Sequence, residues 1–282
     1  MKWTVLAILV FTIVLLFILM KLRPDVLRIT HNSGFFSCCS VRLHEIVKYY
    51  NTNKKLPNVD SSVQFDWYKT DKNEDITNKY FKDYNEVNIT EFDSLIDYDE
   101  NYQYKDFRTL DHASIAPFIT KYFSPSDDVN RIIREMEQKY NIDPDNTLVL
   151  FYRGNDKSTE TILPKYEDYI TRANNLISAN PNLKILIQSD ETEFIDTMTA
   201  AFPTSFYFSD EIRHMKKSNT TVDKVSRNNV LEFSQKYLAI TIIMSKCKYI
   251  IFGSGNCSIW ITLYRKNADN VTQFLNGAWL DS

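Results

Sequence analysis

The sequence contains few of the residues on which common catalytic and metal-binding motifs depend. Its 282 residues include only five glycines, four cysteines and four histidines, and neither the cysteines nor the histidines show metal-ligand spacing. It also contains no P-loop lysine motif, no Gly-x-Ser-x-Gly elbow and no Gly-x-Gly-x-x-Gly fingerprint. These absences argue against a zinc site, a P-loop nucleotidase, a serine hydrolase and a dinucleotide-dependent oxidoreductase.

The sequence also lacks an excess of charge of one sign. Its 33 basic and 36 acidic residues are interspersed and give a formal net charge of −3. A nucleic-acid partner would call for a basic patch or stripe, so no nucleic-acid partner is predicted. Hydrophobic residues make up 44% and aromatic residues 14% of the chain, which is ample material for a folded core of one large or two small domains.

One long apolar run is present, at residues 3–20, where Thr4 and Thr12 are the only polar positions. Its length suits a membrane span better than a signal peptide, and no small-residue cleavage site follows it. A buried core helix is the alternative. We predict a single transmembrane helix within a membrane anchor at residues 1–27.

The sequence gives two conflicting indications of membrane orientation. Lys2 precedes the span, whereas Lys21, Arg23 and Arg28 follow it, which places the folded part on the cytoplasmic side. Glycosylation sequons matter only in a secretory lumen, and the chain has such sequons. They begin at Asn88, Asn219, Asn256 and Asn270.

The first half begins with a predicted β-α-β unit. A strand-like run over 28–37 contains Gly34, a helical pattern follows up to Tyr50, and a turn at 56–60 leads to a second strand-like run at 63–65. Residues 69–112 are polar and predicted to be loops with short helices. A further helix is predicted over 124–140, with Ser124 as its cap.

The second half alternates apolar strands with helices. Strands are predicted at 146–153, 183–188, 206–208 and 248–252. Helices are predicted at 164–179, 191–202 and 229–247. Continuous apolar strands separated by helices are typical of a parallel sheet covered on both faces.

Polar clusters follow three of the predicted strands, at the sheet edge where α/β proteins bind ligands. The first contains Arg153, Gly154, Asp156 and Lys157. Arginine can bind a pyrophosphate with two hydrogen bonds, lysine adds a compact positive charge, and glycine permits a close backbone approach. An exposed turn in which the aspartate and lysine pair with each other is the alternative.

The second cluster contains Asp190 and Glu191, and the third runs from Gly253 to Ser258. Carboxylates at the second position can accept hydrogen bonds from sugar hydroxyls, or Ser189 or Asp190 can cap the following helix. The third cluster is a Gly/Ser-rich turn that opens a helix, which suits phosphate oxygens. A tight turn that requires glycine is its alternative interpretation.

Taken in order, these clusters resemble the donor half of a fucosyltransferase superfamily that includes core α1,6-fucosyltransferases and Nod-factor fucosyltransferases. The family's His-x-Arg-Arg-x-Asp-Lys is similar to residues 151–157, where Arg153, Asp156 and Lys157 match. Residues 163–169 resemble the family's Pro-x-x-x-Tyr helix start, and residues 187–191 resemble its Ala-Thr-Asp-Asp strand end. Residues 208–210 resemble its Ile-Ser-Asp, and residues 244–254 resemble its closing helix, strand and serine turn.

The resemblance implies an α/β, GT-B-like fold with two Rossmann-type lobes: an acceptor-side lobe at 28–145 and a nucleotide-sugar lobe at 146–282. Together with the anchor predicted from the apolar run, it implies a membrane-anchored, lumenal glycosyltransferase that transfers fucose from GDP-fucose to a glycan or glycoprotein acceptor. The transfer would invert configuration and use neither metal nor cofactor. The two Asp-x-Asp pairs, at 97–99 and 143–145, resemble metal motifs of the other major glycosyltransferase fold but are predicted to be solvated.

The resemblance also implies roles for individual residues. Arg153 would hold the β-phosphate and stabilise the departing GDP. Ser254 or Ser258, with the Gly255 backbone, would hold phosphate oxygens. Glu160 would accept the proton of the acceptor hydroxyl, a type of help that contributes roughly 10²–10⁴-fold in rate.

Two departures from the family pattern keep an alternative open. Gly154 stands where the family has a second arginine, and Ile240 or Thr241 stands where it has an acid that reads guanine. The alternative is a catalytically degenerate protein that binds glycans or a partner. A Rossmann-type transferase that uses another nucleotide is a third hypothesis.

Overall fold

The computed structural model describes residues 26–84, 94–222 and 229–281. The apolar run at 3–20 and the sequon at Asn88 lie outside this part of the chain. Within the described ranges, no helix is long and apolar enough to cross a membrane.

The first half opens with the predicted β-α-β unit. Strand β1 (Val26–Arg28) leads through Gly34 into helix α1 (Phe35–Asn53), and strand β2 (Asn58–Asp60) pairs with β1 in parallel. The order of the unit is confirmed, but the strand predicted at 63–65 is wrong. Strand β2 ends at Asp60, residues 62–64 form a turn, and Phe65 adopts a left-handed conformation with φ 58°.

The rest of the first half is mostly helical. Its elements are a 3₁₀ turn (Asp66–Tyr68), α2 (Thr77–Tyr80), 3₁₀ turns at Glu100–Tyr104 and Phe107–Thr109, α3 (His112–Tyr122) and α4 (Asp127–Lys139). Helix α4 begins later than predicted, because Ser126 rather than Ser124 is its cap. The Ser126 hydroxyl accepts a hydrogen bond from the Val129 N–H at 3.3 Å.

The second half is built on a five-stranded sheet with the order β4-β3-β5-β6-β7. The strands are β3 (Thr147–Tyr152), β4 (Lys184–Ser189), β5 (Tyr249–Gly253), β6 (Val271–Leu275) and β7 (Ala278–Asp281). All neighbours are parallel except β6 and β7, which form an antiparallel hairpin. Every residue of β3 is buried, as its continuous apolar run predicted for a strand of a parallel sheet that is covered on both faces.

The helices of this half are α5 (Tyr166–Ala179), α6 (Thr192–Ala201), α7 (Val230–Lys246) and α8 (Asn256–Arg265). The helices predicted at 164–179, 191–202 and 229–247 and the strands predicted at 146–153, 183–188 and 248–252 are confirmed to within two residues. The strand predicted at 206–208 is reduced to a single bridge between Phe206 and Leu186.

Buried contacts join the two halves. The fully buried Trp260 of α8 packs 4.7 Å from Phe123, and its indole N–H donates to the Ser40 hydroxyl at 2.9 Å. The hydroxyls of Tyr80 and Ser234 hydrogen-bond at 2.9 Å. Helices α1 and α3 therefore hold a fixed position against α8. The division of the chain into two lobes at residue 145 stays a prediction.

Candidate active site

A cavity of about 500 Å³ lies at the carboxyl ends of β3 and β5, where the first half of the chain meets the second. Its lining from the first half consists of Ser33, Gly34, Phe35, Phe36, Ser37, Trp67, Gln103 and Tyr104. Its lining from the second half consists of Arg153, Asp156, Lys157, Glu160, Asn219, Thr220, Thr221, Tyr237, Ser254, Gly255, Asn256, Cys257 and Ser258. Most of the site residues predicted from the sequence therefore face one space.

Arg153 follows β3 directly and is held by three polar side chains. Its Nε donates to Asp190 Oδ2 at 2.8 Å, its Nη2 to Asp156 Oδ1 at 2.9 Å and its Nη1 to the Tyr237 hydroxyl at 3.0 Å. Burial alone would lower the pKa of the guanidinium, but electrostatic interactions with Tyr237, Asp190 and Asp156 raise the pKa well above its ordinary value. Arg153 therefore presents a permanent, fixed positive charge to the cavity.

Asp190 lies behind Arg153 and outside the cavity lining. Its Oδ1 accepts the Gly154 N–H at 2.9 Å while its Oδ2 accepts from Arg153, so both oxygens are used on the β3 loop. The alternative interpretation of Asp190 as a helix cap is wrong, since α6 has Glu191 at its N-cap without a side-chain capping bond. The structure places Asp190 where it orients the arginine.

Gly154 permits a close approach, but the approaching group is a protein side chain. A Cβ added at Gly154 would lie 2.1 Å from Glu191 Oε1 and 2.4 Å from Tyr152 Cε1. Glu191 is fully buried, and its Oε2 accepts a hydrogen bond from the Tyr166 hydroxyl. The packing therefore leaves no room for the second arginine of the family pattern at this position.

Lys157 and Glu160 occupy the cavity wall one turn after Arg153. The Lys157 ammonium hydrogen-bonds Glu160 Oε2, and the Tyr104 hydroxyl donates to the same oxygen at 3.3 Å. Burial, followed by the charge of Glu160, raises the pKa of Tyr104. Among the described residues, none donates a hydrogen bond to Glu160 Oε1.

The third predicted cluster forms the turn between β5 and α8. The Ser258 hydroxyl donates to the Gly253 carbonyl at 2.5 Å and the Ser254 hydroxyl to the Phe274 carbonyl at 2.7 Å. Both hydroxyl protons are thus donated to backbone carbonyls of the protein. The N–H groups of the first turn of α8 have no partners within the helix, so they are the donors available to an anion. Lys157 lies close by, with its Cε 3.7 Å from a Cβ built on Gly255.

Three residues that the sequence interpretation missed position this site. Gln273 of β6 donates to the Ser254 hydroxyl at 2.9 Å and to the Lys105 carbonyl at 2.8 Å, which ties the turn to the first half. Asn155 donates to the Asp190 carbonyl at 2.5 Å and accepts from the Ser218 N–H at 2.7 Å. Tyr237 binds Arg153. A glutamine within a strand could have pointed to Gln273 from the sequence, whereas no sequence feature pointed to Asn155 or Tyr237.

The positions expected to read guanine do not face the cavity. Ile240 and Thr241 are both fully buried within α7, and the Thr241 hydroxyl donates to the Tyr237 carbonyl at 3.0 Å. Tyr237, about one helical turn earlier, is the residue of α7 that lines the cavity.

The two Asp-x-Asp pairs do not meet at the cavity. Asp99 accepts from Lys105 Nζ at 2.7 Å and caps a 3₁₀ turn, and Asp143 accepts from Asn146 at 2.7 Å. Within the described part of the chain, no three His, Cys, Asp or Glu side chains form a group that could hold a metal ion.

The fold is similar to that of NodZ, an alpha-1,6-fucosyltransferase. A NodZ structure soaked with GDP-fucose aligns over 92% of this chain and 100% of its own, with a TM-score of 0.56 and 9% identity. NodZ from Bradyrhizobium aligns over 92% of this chain and 99% of its own, with a TM-score of 0.55 and 9% identity. The sequence matches no protein-family model and none of the curated proteins. The structural likeness establishes an α/β fold of the GT-B fucosyltransferase type.

Proposed function

We propose that this chain is a glycosyltransferase that transfers fucose from GDP-fucose, with inversion and without a metal or cofactor, to a glycan or glycoprotein acceptor. The observation that carries the proposal is the convergence of Arg153, Lys157 and the α8 N-terminus with Glu160 on one cavity. The fold supports it, since the similar NodZ structures were obtained with GDP-fucose and with GDP.

The donor diphosphate would lie between Arg153 and the first turn of α8. The guanidinium and the helix N–H groups both complement the negative charge that grows on the leaving phosphate. Lys157 adds a third source of positive charge beside Gly255. These groups are held in place before the donor arrives, so little reorganisation accompanies the reaction.

The acceptor would enter from the side of the first half. Its hydroxyl oxygen forms a bond to C1 of the sugar, the bond from C1 to the β-phosphate oxygen breaks, and the electron pair leaves with GDP. Glu160 Oε1 takes the hydroxyl proton. The Tyr104 and Lys157 contacts fix the carboxylate by its other oxygen.

Thermal unfolding of the purified chain with nucleotides and nucleotide sugars tests the donor. We expect stabilisation by GDP and GDP-fucose and its loss in Arg153→Ala, because ligand that binds only the folded state raises the melting temperature. Arg153→Ala should also lower turnover by roughly 10²–10³-fold, as loss of a charge-stabilising donor does.

The remaining outcomes discriminate between the hypotheses. A shift with UDP compounds would keep the glycosyltransferase and discard fucose. The absence of a shift with every nucleotide would contradict the enzyme and favour the glycan- or partner-binding alternative.

A lumenal, membrane-anchored location is part of the proposal and rests on the apolar run at 3–20 and on the sequons. Asn219 and Asn256 line the cavity, where an attached glycan would obstruct the site. Asn270 is exposed just before β6. Expression in secretory cells tests the orientation: an endoglycosidase-sensitive mass shift that disappears in Asn270→Gln supports it, and a chain free of glycan contradicts it.

A further inference from the structure

Two exposed aromatic side chains from the first half of the chain line the cavity. Trp67 is 44% and Tyr104 is 40% exposed. Large apolar side chains in such positions commonly mark a binding surface, because water contact with them is unfavourable. We call Trp67 and Tyr104 the aromatic wall.

The turn that carries Trp67 is fixed on both sides of the indole. The Asp66 N–H donates to Asn32 Oδ1 at 2.9 Å, and the Tyr68 hydroxyl accepts from the Phe35 N–H at 2.7 Å. Phe65, directly before the turn, has φ 58°, a left-handed conformation that is strained for an aromatic residue. A strained turn of this kind, held by buried neighbours, projects Trp67 into the cavity.

The backbone beside Tyr104 is fixed by Gln273. The Gln273 amide donates to the Lys105 carbonyl at 2.8 Å and accepts from the Phe107 N–H at 3.0 Å. The Tyr104 hydroxyl in turn donates to Glu160. The ring therefore lies next to the carboxylate that would receive the acceptor proton.

The rest of the lining restricts the chemistry of the occupant. Charged side chains of the described lining are confined to Arg153, Asp156, Lys157 and Glu160. The first half contributes only uncharged side chains to the described lining, and they include Gln103, Ser33 and Ser37. An acidic peptide would need further cations here, and an apolar peptide would need an aliphatic pocket.

We propose that the aromatic wall is the acceptor subsite and that its occupant is a neutral oligosaccharide. The C–H face of a pyranose ring is weakly positive and suits the negative face of an indole or phenol ring. Hydroxyl and amide side chains around the rings match sugar hydroxyls. A ring stacked on Tyr104 brings its hydroxyls within reach of Glu160. This inference rests on the proposed transfer reaction for the use of the site, but the binding itself is independent of it.

Saturation-transfer NMR titration of the full-length chain in the presence of GDP tests the subsite. The probes are maltotetraose, cellotetraose, mannotetraose and N-acetylchitotetraose, with tetragalacturonate as the charged comparison. At least one neutral probe should bind, and Trp67→Ala and Tyr104→Ala should each weaken that binding about tenfold through loss of the ring contact. Tyr104→Phe keeps the ring and should keep most of the affinity.

Tyr84→Ala is the matched control, since Tyr84 is also 40% exposed but does not line the cavity. GDP affinity, measured in the same samples, should be unchanged in Trp67→Ala and reports that the variant is folded. Binding of GDP without any neutral oligosaccharide, or oligosaccharide binding that survives Trp67→Ala, would overturn the subsite. Trp67-dependent oligosaccharide binding without GDP binding would instead overturn the proposed donor and leave the subsite standing.

Discussion

The cavity has a charged wall, which consists of Arg153, Asp156, Lys157 and Glu160, and this wall is built differently from the aromatic wall. Arg153 is 24% exposed and its partner Asp190 only 8%, so the group that faces the ligand is bonded directly to the buried interior. Trp67 and Tyr104 are more exposed, and hydrogen bonds of neighbouring residues such as Tyr68 and Gln273 fix the backbone beside them.

This difference predicts which substitutions change the stability of the fold and which change ligand binding. On the charged wall the same hydrogen bonds orient the ligand-binding group and neutralise buried charge, so changes there should affect both the fold and the ligand. On the aromatic wall the exposed rings contribute little to the core, so their removal should affect ligand alone. The charged wall can be tested most directly through its buried partners.

The largest effect is expected for Asp190→Ala. Asp190→Ala removes one of the two carboxylates that pair with Arg153 and leaves the buried Gly154 N–H without its acceptor, so the free energy of unfolding should fall by about 3 kcal/mol. Glu135→Ala, which breaks an exposed pair with Arg131, should cost about 0.5 kcal/mol or less. Urea unfolding of both variants checks this. Equal small losses would show that Asp190 is not essential to the charged wall.

A somewhat smaller loss is expected for Gly154→Ala. The added methyl group collides with Glu191 and Tyr152, and overpacking of this kind costs about 1–3 kcal/mol. Gly34→Ala is the control, because a Cβ there meets nothing within 4 Å and the residue has φ −57°. The cost should shrink in a Glu191→Ala background, a coupling that a double-mutant cycle measures. If the losses of unfolding free energy in Gly154→Ala and Glu191→Ala were additive, the collision with Glu191 would not be the cause of the destabilisation.

A smaller fall in ligand affinity is expected for Tyr237→Phe. The variant loses the hydroxyl that accepts from Arg153 Nη1 but keeps the ring beside Phe36. One such hydrogen bond is worth about 1 kcal/mol, so GDP affinity should fall about fivefold by calorimetry. Tyr104→Phe should leave GDP affinity unchanged. If GDP affinity fell equally in Tyr237→Phe and Tyr104→Phe, the two walls would not differ in their contribution to GDP binding.

The smallest effect is a pH dependence that arises from Glu191. Burial raises the pKa of its carboxyl, so the folded state holds the proton more tightly than the unfolded state. This stabilisation is fully present below the unfolded pKa of about 4.3 and is lost as pH rises through the folded pKa. Relative to wild type, Glu191→Gln should gain stability as pH rises. Urea unfolding from pH 4 to pH 7 measures the difference, and a constant difference would contradict the interpretation.

Local patterns were enough to predict much of the second half. The unbroken apolar runs of β3, β4 and β5 indicated buried parallel strands, and each strand is found within two residues of its expected position. Polar residues directly after two of these strands reached a common cavity because parallel strands end at the same edge. The β6–β7 hairpin was not predicted, since its strands are short and only partly buried.

The first half was harder to predict. The strand expected at 63–65 is a turn because the burial of Phe65 outweighs the preference of aromatic residues for extended backbone. The aromatic wall left no local signal, since Trp67 and Tyr104 lie in polar segments and meet at the cavity only after the chain has folded.

The sequence by itself determined the parallel α/β half and the residue types at its strand ends, because both follow from short-range periodicity and strand direction. Tertiary structure decided which of those residues face the cavity. Asp190 turns inward because Arg153 and the Gly154 N–H need an acceptor, and Gly154 has no room for a side chain because Glu191 fills that space. Such outcomes depend on contacts between residues far apart in the chain, which no local pattern records.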